Sequence, residues 1–151
     1  MSGRLDNVRA ALIRGQLAGL DENINRWNQR YRALEQGLSR SPKIRVPERV
    51  QHEAFVGSSI QFQLVNTETS RIPHLVKQCS DRGVEIKWFG GDEPNGFTSR
   101  YDSWRYLGDQ PVLTQTIDVL SRTCDLRIPL TFDEADCTKI ATIICEEAAA
   151  L

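Results

Sequence analysis

The residues with chemistry to offer in this chain are four lysines, two histidines, four cysteines, and two arginines set among aromatic rings. Of the lysines, only Lys87 is placed for work, at the end of a predicted strand and beside a glycine-rich aromatic stretch. A lysine amine attacks a carbonyl once desolvation or a neighbouring cation lowers its pKa. Nothing next to Lys87 in the sequence does this, so its neighbours favour a solvated strand residue. His74 follows Pro73 in the first turn of a predicted helix, and His52 lies in a polar loop beside Glu53. Neither has a nucleophile at a recognisable spacing, and both read as surface histidines. Cys79, Cys124, Cys137 and Cys145 form no C-x-x-C pair and stand at no zinc-ligand distance from a histidine. No metal site is expected; the four are read as reduced thiols, mostly small apolar side chains in helices.

Arg100 and Arg105 interleave with Tyr101, Trp104 and Tyr106. Such a group can clamp a carboxylate or phosphate against a ring. The same residues can equally stack as structural cation–π pairs. With Lys87 and Trp88 they form the candidate substrate-binding set: Lys87, Trp88, Arg100, Tyr101, Trp104 and Arg105. No residue is assigned a catalytic role. The pair Gly90-Gly91 before Asp92-Glu93-Pro94 is a turn signal, since adjacent carboxylates repel an anion. The glycine-rich nucleotide fingerprints and the Gly-x-Ser-x-Gly elbow are absent.

Several elements must position these residues. Ile13, Leu17, Leu20, Ile24, Trp27, Tyr31, Leu34 and Leu38 recur in steps of four and three, the pattern of a long helix with one apolar seam. Asp6 is the expected N-cap, Gly37 and Pro42 are the stop signals, and residues 6–37 read as helical. Gly15 and Gly19 each cost such a helix about 1 kcal/mol relative to alanine, which suits a site where another backbone packs closely. The seam fits either a helix lying along its own domain or half of a coiled coil. Trp27 and Tyr31 fit a coiled coil badly, so the first is preferred.

Beyond Pro47 the period becomes two. Ile60, Phe62 and Leu64 share one face of a predicted strand; Ser59, Gln61 and Gln63 share the other. Ser70 and Pro73 open a helix whose Ile72, Leu75, Val76 and Cys79 share a face, and Gly83 closes it. A strand over 84–89 completes an α/β unit, with the adjacency of the two strands left open by pattern alone. Residues 90–111 read as an irregular loop that carries function, because its rings argue against disorder. A helix over 114–122, an apolar strand over 124–130 and a last helix follow. Thr131 and Glu134 are spaced as that helix's capping box, and Cys137, Ile140, Ala141, Ile144 and Ala148 form its buried stripe. The fold class is thus α/β (α+β): a long helix over 1–40, then a small strand-helix-strand domain over 41–151 with an aromatic loop at 88–111 and a C-terminal helix.

With 151 residues, 40% hydrophobic and 26% charged, the chain fits one domain with its own core. Nineteen Lys+Arg against twenty Asp+Glu leave a net charge of -1, without the basic field that phosphate backbones demand, so nucleic acid is not the expected partner. The longest uncharged run, 54–67, is too short and too polar to cross a bilayer. No apolar signal core follows Met1, and a cytoplasmic location is expected.

The order of elements resembles a known family. The opening Met-Ser-Gly-Arg-Leu-Asp-Asn-Val-Arg-Ala-Ala-Leu-Ile-Arg-Gly-Gln-Leu, with Arg26 and Tyr31 further along the same helix, is similar to the helix that begins the last part of the DegT/StrS pyridoxal-phosphate (PLP) aminotransferases. The likeness continues through the strand at Ile60, the run Arg82-Gly83-Val84-Glu85 and the stretch 111–130. It implies the small C-terminal domain of a fold-type I enzyme with its linking helix. Such enzymes are homodimers that move an amino group from an amino acid donor, often onto a keto-sugar nucleotide. The family's Schiff-base lysine, phosphate-holding residues and acidic partner of the pyridine nitrogen fall upstream of the matched region. The resemblance therefore implies PLP in the parent enzyme but none on this chain alone, and an N-terminal PLP-binding domain or a second copy as partner. The aromatic loop departs from the common version, with Phe89-Gly90 where the family often has His-Tyr. The alternative from another class is a non-enzymatic interaction module dimerising through the helix over 6–38.

Overall fold

The structure is a computed structural model and describes residues 6–93, 108 and 111–151. Among the described residues, five α-helices accompany four short strands that form a single antiparallel sheet, with α2, α3 and α5 packed into one core over one of its faces. The helices are α1 (Asn7–Leu17), α2 (Leu20–Leu38), α3 (Ile72–Asp81), α4 (Thr114–Arg122) and α5 (Glu134–Ala149). The strands are β1 (Ile44–Arg45), β2 (Ser59–Leu64), β3 (Lys87–Trp88) and β4 (Thr123–Arg127).

Alternation along β2 sets the layering. Ile60, Phe62 and Leu64 are fully buried under α2, α3 and α5, while Gln61 faces the open side of the sheet. The sheet order is β1-β2-β4-β3. Because β2 and β3 each run antiparallel to β4, they are parallel to one another and separated by it. The expected strand-helix-strand unit is therefore present but split, a point that the local pattern left open. The second strand is shorter than the 84–89 expectation, since β3 lies at the sheet edge and pairs only through Lys87 and Trp88; Val84 and Ile86 still enter the core.

The N-terminal helix is corrected in three respects. It breaks at Ala18–Gly19, where Gly19 (φ −102°, ψ 10°) becomes the N-cap of α2. No backbone packs on Gly15 or Gly19: a Cβ at Gly15 would meet nothing within 4 Å, and one at Gly19 only the Asn23 amide at 3.8 Å. Their low helix propensity, with no tertiary contact to offset it, accounts for the break. The close approach lies instead at Gly37, where a Cβ would stand 2.4 Å from Cβ of Ala141 on α5. Gly37 is thus inside the helix, as the contact point of two packed helices, and is not its stop.

Two boundaries near the C-terminus also shift. β4 ends at Arg127 rather than running to residue 130, because Pro129 has no N–H to continue a ladder. The carbonyls of this segment are taken by α2 side chains: Trp27 Nε1 donates to Ile128 (2.9 Å), Arg26 to Leu130 (3.3 Å), and the buried Arg30 to Phe132. The cap of α5 is Asp133 with Asp136, not Thr131 with Glu134. Asp133 accepts from the Asp136 N–H (2.8 Å) and Asp136 returns the bond (3.0 Å), whereas Glu134 is the first helical residue and cannot reach back. The stripe on α5 follows the pattern, with Cys137, Ala141, Ile144 and Ala148 fully buried and Ile140 at its margin.

Candidate functional site

The candidate site starts at the β3 edge. Val84 and Ile86 carry apolar side chains into the core, and Trp88 is half-buried against it. Its Nε1 donates to the Ser121 carbonyl at the end of α4 (2.8 Å). A Cβ on Gly90 would come within 2.5 Å of the Trp88 ring, so only glycine lets the chain turn beneath the indole. The Phe89 N–H donates to the Thr123 carbonyl (3.0 Å) and holds the start of the loop against β4. A cavity of about 180 Å³ opens beside this turn, with apolar walls from Phe89, Ile117 and Leu120 and polar groups from Asp92 and Ser121.

Lys87 precedes Trp88 and is half-buried on the open face of the sheet, opposite Asp125 in the register. It is therefore not the fully solvated strand residue that its neighbours suggested. Asp125 stands in turn opposite Gln61, whose Nε2 donates to Asp125 Oδ1 (2.7 Å). Asp125 is 8% exposed, and a carboxylate so withdrawn from water needs donors of this kind. Sequence reasoning missed this three-strand polar row. Its signal is the Asp set between Cys124 and Leu126, which gains meaning only once the register is known.

Of the six candidate substrate-binding residues, Lys87 and Trp88 are neighbours on β3 whose side chains alternate to opposite faces of the sheet, and neither lines the Phe89 cavity. Arg100, Tyr101, Trp104 and Arg105 lie outside the described residues. His52 and His74 are both exposed. Among the described residues no three His, Cys, Asp or Glu side chains converge as a metal would require.

The thiols sit mainly in the core, Cys79 on α3, Cys137 on α5, and Cys124 on β4 rather than on a helix. Burial pushes the Cys79 and Cys124 thiols up to about 12 and Cys137 to about 11, which makes them poor nucleophiles. Cys145, half-buried, is raised by the same cause.

A PLP site needs a lysine, an anion cradle and an acid in one cavity. The Phe89 cavity and the groove between α2 and α5 have no lysine in their walls. Lys77 is committed to Asp81 on the surface of α3 (2.5 Å), and Lys139 projects from the exposed side of α5.

No helix among the described residues is long and apolar enough to cross a membrane. Comparison with curated protein sequences finds no match. Among solved structures the chain is similar to the aminotransferase TlmJ from Streptoalloteichus hindustanus (TM-score 0.76, 18% identity, 95% of this chain and 36% of that one). It is also similar to S. venezuelae DesV in complex with a ketimine intermediate (0.74, 19%, 96% and 37%) and to 3-amino-5-hydroxybenzoic acid synthase (0.71, 21%, 94% and 38%). At these identities the likeness shows the fold, and the chain spans little more than a third of each structure's length. The model of the DegT/DnrJ/EryC1/StrS aminotransferases matches residues 1–144. This chain therefore belongs to the DegT/DnrJ/EryC1/StrS aminotransferase family.

Proposed function

We propose that residues 41–151 act as the C-terminal small domain of a PLP-dependent aminotransferase, with 1–40 as the helix linking it to a PLP-binding domain, and that this chain alone does not transaminate. The observation that carries the reading is α1. Val8, Leu12 and Leu17 are 71%, 65% and 59% exposed, and the helix has no buried residue, in a family whose solved structures are about two and a half times as long. A helix with this much apolar surface in water calls for a covering partner. The exposed Val112, Leu113, Ile117 and Val119 around α4 extend the same demand to the cavity side.

The reaction would be amino transfer from an amino acid donor to a keto acceptor. A sugar-nucleotide acceptor is supported by DesI, a similar structure solved with its TDP-sugar product. PLP supplies the carbanion stabilisation in such chemistry. This chain's share would be to wall and select the acceptor, through Lys87 and Trp88 on β3 and Arg100, Tyr101, Trp104 and Arg105 in the following loop. The assembled enzyme would be a cytoplasmic homodimer, a location that four free thiols favour.

The alternative module, dimerising through the seam over 6–38, is disfavoured because Tyr31, Leu34 and Leu38 already pack in this domain's own core.

The test adds PLP to the purified chain and then borohydride. The expected result is no reduced aldimine on any peptide and no turnover of an amino donor. A pyridoxyl group fixed at Lys87, or turnover by the chain unaided, overturns the proposal. In the enzyme completed by its PLP-binding domain, Arg100→Ala or Trp104→Ala should change the preference among acceptors; unchanged preference in both removes the selecting role.

A further inference from the structure

The helical segment that enters the domain divides into a part that is fastened and a part that is not. Between residues 26 and 37, α2 is tied to three other segments. Arg26, Trp27 and Arg30 donate to the carbonyls of Leu130, Ile128 and Phe132. Asn28 donates to the Phe55 carbonyl (3.0 Å) and accepts from the Gly57 N–H (2.8 Å), and Gly37 lies against Ala141 of α5. A Cβ on Gly57 would fall 2.5 Å from Cβ of Tyr31, so the loop before β2 also closes directly on this helix. In contrast, α1 contains no buried residue and carries its own N-cap, the Asp6 carboxylate accepting from the Arg9 N–H (2.8 Å).

The two ends of α2 differ in the same way. Where it meets β1 the chain is held: Leu38 and Ile44 are buried, and Ser41 between them is buried as well. The Ser41 N–H donates to the Leu38 carbonyl (3.1 Å), Ile44 to Ser41 (3.2 Å), and Val65 to Lys43 (2.9 Å). Where α2 meets α1 it is open. Gly19 caps α2 with no side-chain bond, and its N–H reaches back only three residues, to the Gln16 carbonyl (3.2 Å). Ala18 keeps helical angles (φ −62°, ψ −29°), so the departure from a continuous helix is confined to Gly19. Glycine at such a point costs little to turn, and bends in helices concentrate there.

We infer that Gly19 is a joint: residues 20–151 move as one body, and α1 turns relative to it. The mechanical division of the chain then falls inside the linking helix, not at residue 40 where α2 hands over to the sheet. Hinges of this kind are a few element-terminal residues that absorb the change in backbone angles. The apolar spacing runs across the joint, with the exposed Leu17 on one side and the exposed Leu20 on the other. In a straight helix these two lie on one stripe, three residues apart. A surface that covers both leucines at once therefore favours the straight form over the bent one. Use of the joint between two domains rests on the proposed function; the joint itself does not.

The experiment measures amide residual dipolar couplings of the ¹⁵N-labelled full chain in a weakly aligning medium, which average over hinge motion on the microsecond-to-millisecond scale. Couplings from α2, α3 and α5 should fit one alignment tensor, and those of α1 should fit helical geometry at half that magnitude or less. Gly19→Ala, at a position with room for the methyl, should bring α1 into the common tensor. Gly15→Ala, the same change within α1, should leave its couplings as they were. A single tensor for α1 and α2 in the unmodified chain overturns the joint. So does Gly15→Ala coupling the helices as well as Gly19→Ala, the mark of a fraying helix, or a folded Gly19→Ala chain in which α1 stays uncoupled. PLP and acceptor take no part in the measurement, so loss of the joint leaves the aminotransferase reading standing, and loss of that reading leaves the joint.

Discussion

The helices α1 and α2 share one apolar rhythm in the sequence, yet they meet opposite fates. In α2 the seam is consumed: Tyr31, Leu34 and Leu38 are buried, Gly37 touches α5, and Arg26, Trp27 and Arg30 satisfy the carbonyls that follow β4. Across one glycine, α1 buries nothing. Periodicity reports that a face will be covered; it does not report by what. Half of this seam is answered within the domain, and half is exposed.

That contrast can be broken by truncating each half. Leu34→Ala removes a side chain that is 1% exposed and should cost about 3 kcal/mol in urea unfolding, in the range for buried leucines. A loss below about 1 kcal/mol would mean that α2 is not packed as described. Gly37→Val should cost about 2 kcal/mol, because the branched side chain must displace Ala141 or separate α2 from α5.

The thiols repeat the distinction between interior and edge. The ordinary thiol value is 9.0, and burial raises Cys79 and Cys124 to about 12. Above pH 9 the unfolded chain releases these protons while the folded chain keeps them. Fewer protons are then bound in the unfolded state, and stability falls as pH rises from 9 toward 12, by about 1.4 kcal/mol per pH unit for each thiol. Below pH 9 this contribution is fully present. Cys124→Ala should flatten that slope in urea midpoints measured across the window, and an unchanged slope removes the linkage. Under native conditions a thiol reagent should modify half-buried Cys145 before the three buried cysteines.

A smaller effect separates the two possible caps of α5. Asp133→Ala should cost about 1 kcal/mol, with Thr131→Ala a few tenths at most; the reverse order would restore the expected box. The smallest effect belongs to α1. Leu12→Ala should change stability by less than about 0.5 kcal/mol in the isolated chain, since its side chain meets water on both sides of unfolding. A cost near that of Leu34→Ala would show α1 docked on the domain and would remove the contrast.

Legibility followed the range of the interaction responsible. The strand at Ile60–Phe62–Leu64, the helix from Ile72 closed by Gly83, and α4 over Thr114–Arg122 are set by nearest-neighbour pattern and stand where the pattern puts them. Gly83 adopts φ +83°, a conformation that glycine accepts without a steric penalty. The candidate site was only partly legible. Lys87 and Trp88 announce themselves as the end of an apolar run, but Asp125, Gln61 and Ser121 come from other segments, and no local spacing links them.

By itself, the sequence determined which segments are amphipathic, where most of them start and stop, and which family they belong to, because side-chain period and backbone preference are properties of a few adjacent residues. Tertiary structure alone decided that β4 enters between β2 and β3, that Gly37 and not Gly15 or Gly19 is the close contact, and that Arg49 rests on Tyr31 and Phe55. Each of these depends on shape and volume meeting across long stretches of chain, and packing of that kind is settled only when all the layers are in place.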